Sequence, residues 1–167
     1  MLKSTGLLDM LSIIGCGNVN RKDDGVGITV VQRLIERAPK WPCDKVQIFD
    51  AGTSGMDVMF QARGSSALIV IDASHTESES GQIFEVPGEE LESLPEPSYN
   101  LHDFRWDNAL YAGRKIFKDD FPSDVIVYLI EAETLDLGIG LSDCVQQASN
   151  RVVELVSARI EKYLNKH

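Results

Sequence analysis

Short apolar segments alternate with longer amphipathic segments along the chain. Segments of strand length that are rich in apolar residues lie at 10–16, 45–50, 67–73, 81–86 and 124–132. Apolar residues recur at helical spacing in four further segments, at about 25–37, 56–62, 103–117 and 142–164. This alternation is typical of α/β proteins. It predicts a three-layer sandwich in which a mostly parallel, twisted, five-stranded sheet lies between helices.

The strand at 81–86 differs from the others in how it is connected. It follows the preceding strand after a short polar turn, which leaves no room for a crossover helix, so we expect one antiparallel strand. The chain contains no internal repeat, low-complexity segment or linker. We therefore expect a single domain over residues 1–167.

The last predicted helix has a recognisable start. Ser142 and Asp143 precede its first apolar positions and are natural caps. Asp143 together with Gln146 fits a capping box, so we expect side-chain capping of this helix.

The composition excludes several classes of protein. Of the 167 residues, 43% are hydrophobic, which is enough for one sizeable core. The formal net charge of −10 makes a nucleic acid or an anionic membrane an unfavourable partner. No segment approaches the ~20 apolar residues of a membrane span, and the N-terminal segment lacks the apolar core of a signal peptide. We therefore expect a cytoplasmic protein with neither a nucleic-acid nor a membrane partner.

The three cysteines, Cys16, Cys43 and Cys144, have no metal-ligand spacing. An odd number of cysteines without such spacing is typical of a reduced, cytosolic protein. None has a histidine close by in the sequence, so we expect each to be a small apolar filler rather than a nucleophile.

The segment GCGNVNRKDDGVG, residues 15–27, begins like a phosphate-binding loop and then departs from one. A dinucleotide-binding turn has three glycines and presents a bare helix N-terminus to the pyrophosphate. Here Asn20 takes the third glycine position, and Asp23 and Asp24 occupy the place that a phosphate would need. A nucleotide-binding module is therefore the less favoured interpretation of this segment.

Acidic residues follow the first three predicted strands. Asp23 and Asp24 come after the first strand, Asp50 ends the second and Asp72 ends the third. In an open α/β sheet the carboxyl ends of the strands form the ligand-binding edge, so we expect these acids at one edge. Each acid alone could be a helix cap or a turn residue. Together in one cleft they would repel each other and need a cation, as in two-carboxylate acid–base chemistry or a metal site.

Histidine is the other residue type that such a site would use. His167 is terminal and is expected to be disordered, and His75 lies in the hydrophilic turn SHTESESG, where solvated residues are typical. His102 precedes the third long helix and is expected near the same sheet edge, where it could also simply bond the backbone at the helix entry. Two aspartates and one imidazole make a ligand set that suits a borderline divalent ion.

Four segments, in chain order, resemble the motifs of one protein family. They are GCGNVNRKDDGVGITVVQRL, FDAGTSGMDVM, ALIVIDA and LIEAETLDLGIGLSDCVQQA. The first resembles the opening motif of the hydrogenase maturation endopeptidases, which is G-x-G-N, four residues, an acidic pair and Gly-x-Gly. The others resemble the family's D-G-G-T-x-G element, the strand that ends in its second metal aspartate, and its I-E-P-x-x-L-x-x-G-x-x-L-S segment. The resemblance extends from about residue 12 to residue 157.

This resemblance implies a fold, an activity and a site. Members of the family have a twisted sheet between helices, and they remove a C-terminal extension from the large-subunit precursor of a nickel–iron hydrogenase. Their metal-binding residues match Asp24, Asp72 and His102, which are therefore the expected catalytic and metal-binding residues, with Asp23 and Asp50 in support. The implied reaction follows nickel insertion, and nickel is expected to be carried by the substrate. The oligomeric state is left open.

The chain departs from the family pattern at single positions, such as Asp24 where several members carry Glu, and in two segments. The loop VNRK after the first strand is more polar than the family's version, and LHDFRWDNAL is unusual in its aromatic and charged content. The family lacks a Ser, Cys or zinc-protease signature that would by itself guarantee catalysis. A non-cleaving, nickel- or hydrogenase-binding protein of the same fold therefore stays open as an alternative.

Overall fold

The computed structural model describes residues 7–93 and 104–167 and shows a five-stranded sheet. The strands are β1 (Leu8–Cys16), β2 (Val46–Gly52), β3 (Ser65–Ser74), β4 (Ile83–Pro87) and β5 (Asp124–Glu131). Their spatial order is β2-β1-β3-β5-β4, and every neighbouring pair is parallel except β4 with β5. The predicted mostly parallel sheet with one antiparallel strand is confirmed.

Two helices cover each face of this sheet. The helices are α1 (Val26–Arg37), α2 (Gly55–Ala62), α3 (Trp106–Phe117) and α4 (Asp143–Leu164). Helices α1 and α4 pack together on one face, while α2 and α3 pack together on the other. The three-layer sandwich predicted from the sequence is therefore confirmed.

Alternating side chains of the central strands supply the two cores. In β1, Ile13 packs in the core under α1 and α4, while its neighbour Ile14 packs in the core under α2 and α3. The same alternation separates Ile69 from Val70 in β3, and all four side chains are almost completely buried. A strand buried on both faces is apolar at every position, which is why the sequence shows continuous apolar runs there.

Helix α3 begins later than the pattern predicts. Its predicted start at residue 103 lies outside the described residues, and Arg105 is extended, with φ −93° and ψ 176°, so that the first helical residue is Trp106. The backbone N–H of Arg105 donates to the side-chain oxygen of Asn108 (3.2 Å), which helps to hold the entry to the helix.

The predicted capping box of α4 is wrong. Ser142 is the N-terminal cap, but its side chain makes no capping hydrogen bond, and Asp143 is already the first residue of the helix. The Ser142 hydroxyl instead donates to the carboxylate of Asp23 (2.8 Å). The hydroxyl thus donates to a residue distant in the sequence instead of accepting a hydrogen bond from a backbone N–H of its own helix.

The cysteines differ in their surroundings. Cys16 is buried, as a small apolar filler should be, and Cys144 is partly buried. Cys43 is exposed, so the prediction that it fills apolar space is wrong. None of the helices found in 7–93 and 104–167 is both long enough and apolar enough to cross a membrane.

Candidate functional site

The loop that follows β1 is shaped by glycines. Gly17 has a φ of +138°, and a Cβ atom there would overlap the carbonyl oxygen of Asp24, so the chain folds back on itself at a place that only glycine permits. Gly27, in the first turn of α1, lies directly against the carbonyl oxygens of Cys16 and Ile71. This close approach sets the start of α1 against the carboxyl ends of β1 and β3.

Asp23 and Asp24 share a short 3₁₀ turn, Lys22–Gly25, but have different surroundings. Asp23 is completely buried. Its carboxylate accepts hydrogen bonds from the backbone N–H groups of Glu133 (2.9 Å), Thr134 (3.1 Å) and Ser142 (2.8 Å), in addition to the Ser142 hydroxyl. Asp23 therefore attaches the loop before α4 to the loop after β1.

Asp24 and Asp72 line the same cavity, whose volume is about 330 Å³. Asp24 is partly exposed, and one of its carboxylate oxygens accepts a hydrogen bond from the backbone N–H of Asn18 (3.0 Å). Asp72 comes from the carboxyl end of β3. The structure thus brings together two of the three predicted metal-binding residues at the expected sheet edge.

Asp72 is held firmly from two sides. Its side chain is 7% exposed, and it accepts hydrogen bonds from the Trp106 indole N–H (2.8 Å) and the backbone N–H of Ala73 (2.8 Å). Burial raises the pKa of Asp72 from its ordinary 3.8 to about 7, and the nearby charge of Asp24 adds to the rise. The hydrogen bonds and the charge of Arg105 oppose it. This carboxyl group therefore changes its charge near neutral pH.

Asp50 stands apart from this pair. It is exposed, and its carboxylate accepts a hydrogen bond from the backbone N–H of Gly52 (2.9 Å), which is the bond of a local turn. It lines a neighbouring hollow, which shares Gly17 and Thr53 with the cavity of Asp24 and Asp72, but Asp50 does not line that cavity itself.

The predictions for the three histidines fare differently in the structure. His102 lies outside the described residues, but Arg105 and Trp106, which follow it closely in the sequence, both contact Asp72. His75 is exposed in its turn, as predicted. The prediction that His167 is disordered is wrong, because its ring packs on Tyr163 with centroids 4.6 Å apart and its Nδ1 lies 2.9 Å from Asp9.

Two arginines that the sequence reasoning missed also line the cavity, Arg21 and Arg105. Arg21 donates from Nε to the carbonyl oxygen of Leu135 (3.1 Å), while an Nη of Arg105 lies 3.4 Å from Asp72. Arg21 lies in the segment VNRK and Arg105 in the segment LHDFRWDNAL. Both segments depart from the family motifs, and this departure is the feature of the sequence that could have indicated the two arginines.

Glu131 is a buried acid that the sequence analysis did not single out. It is 1% exposed and accepts hydrogen bonds from the Thr76 backbone N–H (2.9 Å) and hydroxyl (2.6 Å), and from the Ser74 hydroxyl (3.3 Å). Burial raises the pKa of Glu131, but these hydrogen bonds and the charge of His75 outweigh it, so the pKa lies below the ordinary value of 4.5. Like Asp23, it holds a loop at the carboxyl edge of the sheet.

The sequence profile of one family, described as "Hydrogenase maturation protease", matches residues 28–159. This chain belongs to that family. A protein of Methanocaldococcus jannaschii assigned as a hydrogenase maturation protease is 30% identical over 157 residues, with 90% of this chain and 96% of the relative covered. The hydrogenase 2 maturation protease of Escherichia coli is 27% identical over 153 residues and is covered to 90%, as is this chain.

The solved structures agree with this assignment. The hydrogenase maturating endopeptidase HybD of Escherichia coli superimposes with a TM-score of 0.77 at 25% identity, with 92% of this chain and 93% of HybD covered. The chain is therefore a peptidase of the hydrogenase maturation protease family, and the endopeptidase predicted from the four motifs is confirmed.

The described part of the chain places few reactive side chains in the cavity. Among residues 7–93 and 104–167, no three His, Cys, Asp or Glu side chains are grouped closely enough to hold a metal ion. That part of the chain contributes the Asp24 and Asp72 carboxylates to the cavity, where the charge of the Arg105 guanidinium opposes that of Asp72. The arrangement can bind a cation through oxygen ligands or handle a proton at Asp72.

Proposed function

We propose that this hydrogenase maturation protease removes the C-terminal extension of a nickel–iron hydrogenase large-subunit precursor after nickel insertion. In this proposal Asp24, Asp72 and His102 bind the nickel that the precursor carries. The observation that supports it best is that Asp24 and Asp72, from different elements, line one cavity at the carboxyl edge of the sheet.

The chemistry of these side chains suits a divalent ion carried by a protein substrate. Burial raises the pKa of Asp72 and the charge of Asp24 adds to the rise, so a cation between the two carboxylates would relieve their repulsion. Carboxylates and an imidazole bind nickel moderately, whereas thiolates of the substrate would be softer ligands that complete its coordination. Nickel then joins enzyme and precursor and supplies recognition.

The protein's own residues would place the scissile peptide bond. Asp23 fixes the loop 133–142 beside the cavity, and that loop contributes Leu135 to the lining. With the metal held by Asp24 and Asp72, the extended tail of the precursor would lie against these fixed walls. Positioning of this kind converts a slow encounter into a unimolecular reaction.

The proposal is tested by following the intact mass of a large-subunit precursor with and without nickel. We expect the nickel-loaded precursor to lose its C-terminal extension and the nickel-free precursor to stay whole. Casein should stay intact in either case. Efficient cleavage of the nickel-free precursor in metal-scrubbed buffer would refute the role of nickel.

Substitution of Asp72 provides a sharper test of the site. Asp72→Ala should reduce processing by at least about 100-fold, because Asp24 is the other carboxylate that the described residues bring to the cavity and it is already used in the proposed site. Asp44→Ala is the matched control, since Asp44 is exposed and precedes β2, at the opposite edge of the sheet from the cavity, and we expect it to process normally. Unimpaired processing by Asp72→Ala would remove Asp72 from the proposed ligand set.

A further inference from the structure

Arg105 combines a fixed backbone with an exposed side chain. Gly55, at the start of α2, packs so closely on the carbonyl oxygens of Phe104 and Arg105 that a Cβ atom would not fit. The Arg105 N–H is held by Asn108. The Arg105 side chain, in contrast, is 63% exposed, and its guanidinium Nη2 lies 3.4 Å from an Asp72 oxygen.

Asp72 is positioned without help from Arg105. The indole N–H of Trp106 donates to the same Asp72 oxygen at 2.8 Å, and the Ala73 N–H donates to the other oxygen at 2.8 Å. These two shorter bonds set the orientation of the carboxylate. The longer contact from Arg105 therefore supplies positive charge next to Asp72, from a side chain that can swing away into solvent.

We propose that Arg105 is a specificity-determining residue that competes with free divalent cations for the Asp72 carboxylate. While no substrate lies in the cavity, the Arg105 guanidinium neutralises the Asp72 carboxylate and lowers its affinity for free metal ions. A metal that arrives with the client protein's own ligands brings additional contacts, and these displace Arg105 from the carboxylate. This inference rests on the proposed function and adds a reason why free metal would not occupy the site.

Arg21 offers a matched control in the same cavity. It carries the same charge and lines the same cavity, but its side chain donates to the Leu135 carbonyl oxygen. Within 7–93 and 104–167, no carboxylate oxygen lies within 4.0 Å of its guanidinium nitrogens. Removal of Arg21 therefore changes the net charge of the cavity without freeing Asp72.

The experiment measures the affinity of the metal-free protein for nickel(II) by titration calorimetry at physiological ionic strength. We expect Arg105→Gln to bind nickel(II) about three- to fivefold more tightly than the unsubstituted protein, as suits a partly exposed ion pair. Arg21→Gln should change the affinity less than about twofold, because the Arg21 guanidinium bonds the Leu135 carbonyl oxygen and makes no ion pair with Asp72 that its removal would break. Arg105→Lys keeps the charge and should stay close to the unsubstituted protein.

Three results would overturn this inference. They are an affinity of Arg105→Gln equal to that of the unsubstituted protein, an equal gain in Arg21→Gln, or no nickel binding by any of the proteins. Melting curves establish that each variant is folded, and Arg105→Ala, for which we expect the same gain in affinity, replaces Arg105→Gln if that variant is not. Because the readout is binding of the free ion, its failure is distinguishable from failure of the proposed processing reaction, which is followed on the precursor.

Discussion

At the scale of single residues, the buried acids of this protein have two different tasks. Asp23 and Glu131 accept several hydrogen bonds each and hold loops in place. Asp72 accepts fewer bonds, faces a cavity and keeps a raised pKa. Hydrogen-bond donors outweigh burial at Glu131, whose pKa is lowered, whereas burial dominates at Asp72, whose carboxylate lies open to a ligand in the cavity.

The structural task of Asp23 predicts a large loss of stability in Asp23→Asn. The amide would present N–H groups to backbone N–H donors, so we expect the free energy of unfolding to fall by about 2–4 kcal/mol. Asp50→Asn replaces an exposed acid with one turn bond and should cost less than about 1 kcal/mol. Urea denaturation of both variants checks this, and equal losses would contradict the role given to Asp23.

The lowered pKa of Glu131 predicts how Glu131→Gln depends on pH. Because the folded pKa lies below the ordinary 4.5, the stabilisation from the charged form is present above about pH 4.5 and is lost as the pH falls through the folded pKa. We expect Glu131→Gln to be less stable by about 1–3 kcal/mol at pH 7. The difference should shrink toward pH 3, and urea denaturation at several pH values measures it. A difference that is independent of pH would show that the ionised form is not what stabilises the fold.

At the scale of elements, close packing at the carboxyl edge of the sheet sets the shape of the site. Gly27 lets α1 approach the ends of β1 and β3, and Gly55 lets α2 approach the start of α3. The loop 133–142 is tied to the loop after β1 by the bond of Lys22 N–H to the Gly138 carbonyl oxygen (2.9 Å) and by the Asp23 carboxylate. The walls of the cavity are therefore fixed by backbone contacts as well as by side chains.

This packing predicts that Gly27→Ala destabilises the fold. Replacing glycine by alanine inside a helix ordinarily stabilises it by about 1 kcal/mol. Here the new methyl group would meet the carbonyl oxygens of Cys16 and Ile71, so we expect a loss of about 1–3 kcal/mol instead. Gln32→Ala, at an exposed position of α1, should be close to neutral. Thermal unfolding of both variants decides, and a stabilised Gly27→Ala would contradict the close contact.

At the scale of the whole molecule, the surface around the cavity has to bind a protein substrate. Leu137 and Ile139 are 80% and 86% exposed, and they lie on the loop 133–142, which also lines the cavity through Leu135. Large apolar side chains that are exposed to water on a fixed loop are typical of a surface that binds another protein. We therefore expect this loop to contact the precursor.

We expect the double variant Leu137→Ser, Ile139→Ser to weaken association with the precursor by at least about tenfold, since apolar area that the complex would bury is lost. Its melting temperature should hardly change. Leu8→Ser with Ile116→Ser is the matched control, because these residues are 62% and 61% exposed and lie at the ends of β1 and α3 remote from the cavity. Equal binding of the precursor by both double variants would rule out this loop as a contact.

The hydropathy pattern by itself determined the layers of the fold and the edge that carries the site. Continuous apolar runs identify strands buried on both faces, a short connection identifies the antiparallel strand, and the carboxyl ends of parallel strands meet at one edge. Asp24 and Asp72 could be placed at a common site on these grounds. The family could be named because its glycines and acids occupy short, ordered motifs.

Tertiary structure alone decided what each acid does there. Asp23 and Asp24 are neighbours in the sequence, yet one is completely buried among donors of the loop 133–142 and the other lines the cavity. The donors of Asp23 include Ser142, which is 119 residues away, so no local pattern announces them. The same holds for Arg105, whose contact with Asp72 depends on how α3 packs against β3. Periodicity records which side chains are buried, whereas hydrogen-bond partners distant in the sequence are set only when the elements pack together.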